Sequence, residues 1–332
     1  MVNIVILGNG VDWGAVCLAG IKQYNAKIIN TVFPCDDQSF MEMISKVLLA
    51  PSRSKMFPLV IRYKLYNYFF RYMDLNNHPE SWIIIYDHNR LCNDTTFLSY
   101  IKRRMPNVKL IYIFTNIAKL SYASDKNFLG ELKKYYDIVF AFDPEDAKKY
   151  GFSYSPLIYD ADPNYKREEK ESKEDLVFYV GQAKDRLSGL LSCFEKLKQL
   201  GIKTDFHIAN VKEEDIKYSD EIIYNKFMTY AECVDSIQKA TCLIDVIQGE
   251  STGLTIKTCE AVCYDKKLIT TNKHVVEYPF YDPRYIRVVD SPDDIDGSFF
   301  TENKDVHYSE EGKAYFSAES FLKRVEDELK ER

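Results

Sequence analysis

Glycine and proline are sparse in this 332-residue chain, at 13 and 11 copies. That excludes a collagen-like or low-complexity polypeptide. Positive charge is not in excess: 44 Lys and Arg stand against 50 Asp and Glu, a net charge of −6. A whole-protein basic field for nucleic acid is therefore absent, which leaves only a local basic patch open. No stretch approaches the roughly 18 apolar residues that span a bilayer. The first residues, Met1 to Leu7, lack the basic, apolar and small-residue succession of a secretory leader. The expectation is a cytoplasmic protein without a membrane span. The eight cysteines form no Cys-x-x-Cys and no Cys/His ligand spacing, so no metal site is expected. Several lie inside apolar runs and read as reduced core thiols. Neither a Walker pattern nor Gly-x-Gly-x-x-Gly occurs.

What the chain does contain is alternation. Apolar runs at Asn3–Leu7, Lys27–Val32, Trp82–Tyr86, Lys109–Phe114 and Ile138–Phe142 read as strands. Between them, Trp13–Tyr24, Ser39–Leu49 and Thr96–Met105 read as helices. Asp143 followed by Pro144 starts a further helix, with an N-cap and proline at the first helical position. The charged run Lys166 to Asp175 marks a linker. The pattern then restarts, with strands at Leu176–Val180, Thr204–Ala209, Cys242–Ile247, Lys267–Thr271 and Tyr285–Val289. Helices are expected at Leu187–Leu200, Tyr230–Lys239 and Ala318–Glu331. Continuous apolar strands separated by helices imply parallel sheets covered on both faces. The expected fold is α/β, with two doubly wound Rossmann-like domains facing a cleft. The expected limits are 1–160, a linker at 161–175, 176–312, and a closing helix at 313–332.

In open parallel sheets ligands bind beyond the carboxyl ends of the strands, and two loops there carry suggestive chemistry. The first, Tyr179-Val180-Gly181-Gln182-Ala183-Lys184-Asp185-Arg186, places a glycine at a strand end and two cations before a helix. Glycine permits close backbone approach, and a helix N-terminus with Lys184 and Arg186 suits an anion. A solvated turn with two exposed cations is the alternative. The second loop runs from Gln248 to Ala261. Gly253 again allows close approach, and Thr252 or Thr255 can cap the following helix. Lys257 sits in the first turn, where a cation gains nothing from the helix dipole unless an anion binds there. Glu260, one turn on, can accept hydrogen bonds from the vicinal hydroxyls of a ribose. Chance polar residues on an amphipathic helix are the plainer reading.

These stretches, with Tyr136-Asp137-Ile138-Val139-Phe140-Ala141-Phe142-Asp143-Pro144-Glu145-Asp146-Ala147 in the first half, resemble bacterial GT-B glycosyltransferases that build capsular polysaccharide or lipopolysaccharide. The resemblance covers most of the second half and implies donor-binding roles for Gly181, Lys184, Arg186, Gly253, Thr255, Lys257 and Glu260. Many retaining members carry two glutamates eight positions apart. Glu260 matches the second, which holds the ribose, whereas the first falls on Thr252. The family mostly uses cations and helix N-termini rather than a metal, so no cofactor is implied beyond the nucleotide sugar itself. The implied partners are that donor and a saccharide or lipid-linked saccharide acceptor.

A base for the acceptor hydroxyl is expected from the first half. Asp12 follows the first strand and Gly8-Asn9-Gly10, and is equally suited to a helix N-cap. Asp87 and His88 follow the third strand and are the next candidates. His88 has no partner visible in sequence, which favours a surface histidine. Residues 53–73 interleave Arg53, Lys55, Arg62, Lys64 and Arg71 with aromatics, a composition suited to peripheral contact with the inner membrane face. Helical geometry, though, sets Arg62 and Arg71 on opposite sides. A pyruvyl transferase, a nucleotide-sugar epimerase or a non-catalytic carbohydrate-binding protein on the same scaffold are the alternative functions.

Overall fold

The computed structural model describes residues 2–8, 17–36, 39–49, 57–118, 126–162, 174–249 and 251–332. The chain divides into two compact units, Met1–Ser155 with Phe321–Arg332, and Pro156–Ser320.

The first unit is built on six strands: β1 (Asn3–Leu7), β2 (Lys27–Ile29), β3 (Ser81–Tyr86), β4 (Val108–Ile113), β5 (Ile138–Ala141) and β6 (Ser153–Tyr154). They lie in the order β2-β1-β3-β4-β5-β6, and every ladder among the described residues is parallel. All residues of β1 and β3 are buried, as a strand covered on both faces requires. The helices are α1 (Phe40–Leu48), α2 (Leu59–Tyr72), α3 (Thr95–Arg104), α4 (Lys126–Tyr135) and α5 (Pro144–Tyr150). Their starts follow from local chemistry. Ser39 caps α1, Asp94 caps α3 through the Thr96 and Phe97 amides, and Asp143 with Pro144 opens α5. Of the helix expected over Trp13–Tyr24, the described part is α-helical at Cys17 and continues as a 3-10 helix over Ala19–Tyr24.

The second unit carries β7 (Leu176–Gln182), β8 (Lys203–Ala209), β9 (Ile222–Tyr224), β10 (Cys242–Asp245), β11 (Lys267–Thr270) and β12 (Ile286–Val288). The order β12-β11-β10-β7-β8-β9 is again parallel. It is the doubly wound dinucleotide-binding order, with its switch point between β7 and β10. Helices α6 (Leu187–Gln199), α7 (Tyr230–Lys239), α8 (Ile256–Cys263), α9 (Ser298–Thr301) and α10 (Glu310–Ala314) follow. Gly201, with φ 71°, ends α6 in the left-handed conformation that glycine adopts without steric cost. Thr229 and Glu232 close a reciprocal capping box on α7. The last helix, α11 (Ala318–Lys330), packs Phe321 edge-on against Phe140 with ring centroids 5.4 Å apart. All eight cysteines are buried free thiols.

Candidate functional site

In the second unit the loops after β7 and β10 meet at the switch point. β7 continues through Gly181 and Gln182, so Gly181 is a strand residue rather than part of the loop expected from sequence. A Cβ there would stand 2.7 Å from the Tyr179 hydroxyl. That hydroxyl is buried and has no hydrogen-bond partner among the described residues. Lys184 turns the chain at φ 47° and donates from Nζ to Gln248 Oε1 at 2.6 Å, joining the two loops. Burial, with Arg186 nearby, holds its ammonium below the usual lysine range.

Arg186 stands at the N-cap of α6. Its Nη1 donates to the Val246 carbonyl and its Nη2 to the Gln182 carbonyl, both at 2.8 Å. The guanidinium thus laces the end of β10 to the end of β7, while its Nε is buried without a partner among the described residues.

Asp245, the last residue of β10, is 2% exposed and was not singled out from sequence. It accepts from Thr255 Oγ1 at 2.8 Å and Thr270 Oγ1 at 3.4 Å. Burial pushes its carboxyl above the usual range, against those hydrogen bonds and the charges of Arg186 and Lys257. Of the two threonines expected as caps, Thr255 is the N-cap of α8 and accepts from the Thr258 amide. Asn272 donates to the Gly253 carbonyl at 3.0 Å, and the Ile247 amide donates to Thr271 Oγ1 at 3.0 Å. The loop is therefore pinned at both ends to residues beyond β11.

Lys257 and Glu260 are the main departure from expectation. Lys257 does not face an open helix terminus. It is 6% exposed, and its Nζ lies 2.5 Å from Oε2 of Glu260, which is itself fully buried. Glu260 Oε1 accepts from the Tyr230 hydroxyl at 3.0 Å, and Tyr230 in turn shares a hydrogen bond with Tyr159 at 2.7 Å. The cation that gained nothing from the dipole finds its counter-charge one turn along, at i,i+3. Burial pulls its ammonium pKa down, and the charge of Glu260 outweighs that and sets it above the usual lysine value.

In the first unit Asp87 and His88 follow β3, and Asp12 lies outside the described residues. His88 lies at the surface, as expected from sequence, but it is not without partners. Its Nε2 lies 2.8 Å from Thr115 Oγ1, 3.3 Å from Asn116 Nδ2 and 3.4 Å from Asp87 Oδ1. Thr115 donates its hydroxyl to Asp87 Oδ1 at 2.8 Å and its amide to Oδ2 at 3.2 Å. A hydroxyl that donates to the carboxylate can only accept from the ring, so Nε2 carries the proton and Nδ1 keeps its lone pair. The Asn116 amide, whose Nδ2 faces the ring, has to be turned over to accept from this tautomer. The carboxylate is buried and the imidazole is 40% exposed. Thr115 and Asn116 follow directly on the expected strand Lys109–Phe114. Their position at a strand end was the available signal.

No family model matches the chain, and no curated protein matches it. Solved structures do. An alpha-glucosyltransferase in complex with UDP and a 13-mer DNA containing a central A:G mismatch is similar over 100% of both chains, at 12% identity and TM-score 0.59. An alpha-glucosyltransferase in complex with UDP is similar over 100% of both chains, at 10% identity and TM-score 0.53. A UDP-forming trehalose-phosphate synthase from Burkholderia xenovorans matches over 99% of each chain, at 11% identity and TM-score 0.52. The chain has the GT-B fold. At such identities the likeness speaks to architecture, and activity has to be argued from the residues. Within the GT-B fold, the expected donor positions Gly181, Lys184, Arg186, Gly253, Thr255, Lys257 and Glu260 all belong to the second unit. Asp87 and His88 belong to the first.

Proposed function

We propose that this chain is a glycosyltransferase that moves a sugar from a nucleoside-diphosphate sugar to a saccharide acceptor, without a metal cofactor. The observation that carries the reading is the gathering of Lys184, Arg186, Asp245, Thr255 and the Lys257–Glu260 pair around the β7/β10 switch point. Whole-length likeness to UDP-bound glucosyltransferases supports it. The first helical N–H groups of α6, with Lys184, receive the diphosphate, and Arg186 holds the two strand ends in place while adding its charge. Glu260 is buried beneath Tyr230, and takes a ribose hydroxyl once the Tyr230 side chain swings away from it. Lys257 stays paired with that carboxylate, and Gly253 lets the loop pack closely against Asn272.

On the acceptor side, His88 Nδ1 removes the proton of the attacking hydroxyl as the new glycosidic C–O bond forms. The bond from the anomeric carbon to the diphosphate breaks, and the leaving charge falls to Lys184 and the α6 terminus. Asp87, through Thr115, holds the ring and stabilises the imidazolium. Asp12 is the second candidate base. The acceptor is a saccharide, lipid-linked where the product is a capsule or lipopolysaccharide chain built in the cytoplasm.

A thermal-shift panel of UDP, GDP, CMP, dTDP and their sugars tests this, with Lys184→Ala and Glu260→Ala as controls. A ligand that binds only the folded state raises its apparent stability. One nucleotide should stabilise the native chain, stabilise Lys184→Ala less and Glu260→Ala not at all, and its sugar should release the diphosphate on turnover. If no nucleotide shifts a well-folded sample, pyruvyl transfer or non-catalytic carbohydrate binding takes its place. Inversion of a sugar centre without diphosphate release would point to an epimerase.

A further inference from the structure

Six of the ten exposed large hydrophobic side chains among the described residues fall between positions 40 and 61. On α1, Phe40, Met43 and Val47 are 69%, 56% and 41% exposed, and their spacing of three and four puts them on one helix face. At the first turn of α2, Leu59, Val60 and Ile61 are 51%, 64% and 41% exposed. Side chains of this size scattered singly are ordinary, but grouped on two successive helices they mark an interaction surface.

The charge beside them selects the partner. Residues 40–72 carry six Lys and Arg and one acidic residue, in a chain of net charge −6. Their arrangement on α2 follows the helical geometry, with Arg62 on one side and Lys64 and Arg71 on the other. Arg62 is turned inward and held by Asp94 at 2.8 Å, on the buried side with Leu65, Tyr66, Phe69 and Phe70. The outward stripe is Val60, Lys64, Asn67 and Arg71, at intervals of four, three and four. Lys64 and Arg71 are exposed and have no carboxylate partner among the described residues. Where that stripe ends, a cavity of about 230 Å³ is lined by Asn67, Phe70, Arg71, Asn76, Arg104 and Met105. Two arginines and two asparagines with no acid among the lining residues form a recess suited to a phosphate.

We infer that this face of the first unit docks on an anionic lipid bilayer. The apolar side chains of α1 and the α2 start enter the headgroup boundary, while Lys64, Arg71 and Arg104 pair with lipid phosphates. The inference rests on the surface and not on the transfer reaction, so vesicle binding reads it independently of any donor.

Flotation of the full chain with vesicles of phosphatidylglycerol and phosphatidylcholine, against phosphatidylcholine alone, is the test. Binding should appear only with the anionic lipid and weaken with salt. Lys64→Gln with Arg71→Gln should weaken the partition about 30-fold, from about 1 kcal/mol per cation near such a surface. Met43→Glu with Val60→Glu should abolish it, while circular dichroism and the melting temperature stay near those of the parent. Inorganic phosphate at millimolar concentration should not compete; full competition would make the recess a soluble-phosphate site and overturn the inference. Equal binding to both vesicle types, or none, would also overturn it. So would a concentration-dependent dimer in sedimentation velocity that Val60→Glu disrupts, since the face would then be covered by a second copy.

Discussion

Replacing Lys257 with methionine removes the counter-charge of a carboxylate that has no access to water. Glu260 is fully buried, and its neighbours are the Lys257 ammonium at 2.5 Å and the Tyr230 hydroxyl at 3.0 Å. Breaking a buried pair from one side costs about 3–5 kcal/mol, because the remaining charge stays desolvated. For a domain of this size that is a fall of about 6–20 °C in melting temperature. The double variant Lys257→Met/Glu260→Gln carries no buried charge, and the Gln carbonyl can still accept from Tyr230. It should recover most of the loss, giving a coupling energy of about 2 kcal/mol or more. The pH dependence has a defined sign. The Lys257 pKa is raised in the folded state, so its contribution is complete below the unfolded value near 10.5 and is lost as the pH climbs through the higher folded value. Lys257→Met should lack this alkaline loss. Thermal and urea melts of the parent, both single variants and the double variant provide the cycle. Additive single effects, or a loss below about 1 kcal/mol for Lys257→Met, would refute the reasoning, because an exposed pair behaves that way. If the double variant is stable but no longer binds the nucleotide that the parent binds, the pair serves the donor as well as the fold.

His88→Ala should lower kcat by about 10²- to 10⁴-fold with little change in nucleotide affinity, read by diphosphate release. Thr115→Val removes the hydroxyl between Asp87 and the ring; kcat should fall and its pH profile change while KM for the donor holds, whereas a merely structural role would move none of these. Lys184→Ala should weaken nucleotide binding about tenfold, measured by calorimetry, without lowering the melting temperature by more than a degree or two, since its partner is a side-chain amide of a loop. Asp245→Asn keeps an acceptor for Thr255 and removes a carboxyl whose pKa burial has raised. A raised acid pKa means the folded state is favoured when that group is protonated and loses stability as the pH rises through the folded value. The asparagine variant should therefore melt at or above the parent temperature at pH 7, and a clear fall would show that the charges of Arg186 and Lys257 outweigh the desolvation.

Much of the fold was legible in the chain. Strand β3 was expected at Trp82–Tyr86 and lies at Ser81–Tyr86, and α7 lies at Tyr230–Lys239 as expected. The Asp143-Pro144 start, the Thr255 cap and the Gly201 stop all rest on chemistry within four residues of the helix end, which a sequence states directly. Short strands were less legible. β6 has two residues and β9 three, too few for a periodicity to register. Among the residues of the proposed site, those in polar loops after strands stand out in the sequence. Asp245 was passed over because it lies inside the apolar run Cys242–Ile247, and Thr115 because its role exists only beside Asp87, which follows the neighbouring strand.

The sequence by itself determined the alternation of strand and helix, the places where helices start and stop, and the polar loops at strand ends. Each depends on residues a few positions apart and on backbone conformation. Tertiary structure alone decided which side chains those loops bring together, and which way each charge turns. Lys257 and Glu260 stand three apart in any helix. Only the packing of α8 turns that pair into the interior, where Tyr230 from another helix completes it. Arg62 and Lys64 are equally cationic in sequence. Asp94, 32 residues away, draws one inward and leaves the other on the surface. Such choices rest on contacts between distant segments, whose strength depends on how much water the fold excludes around them.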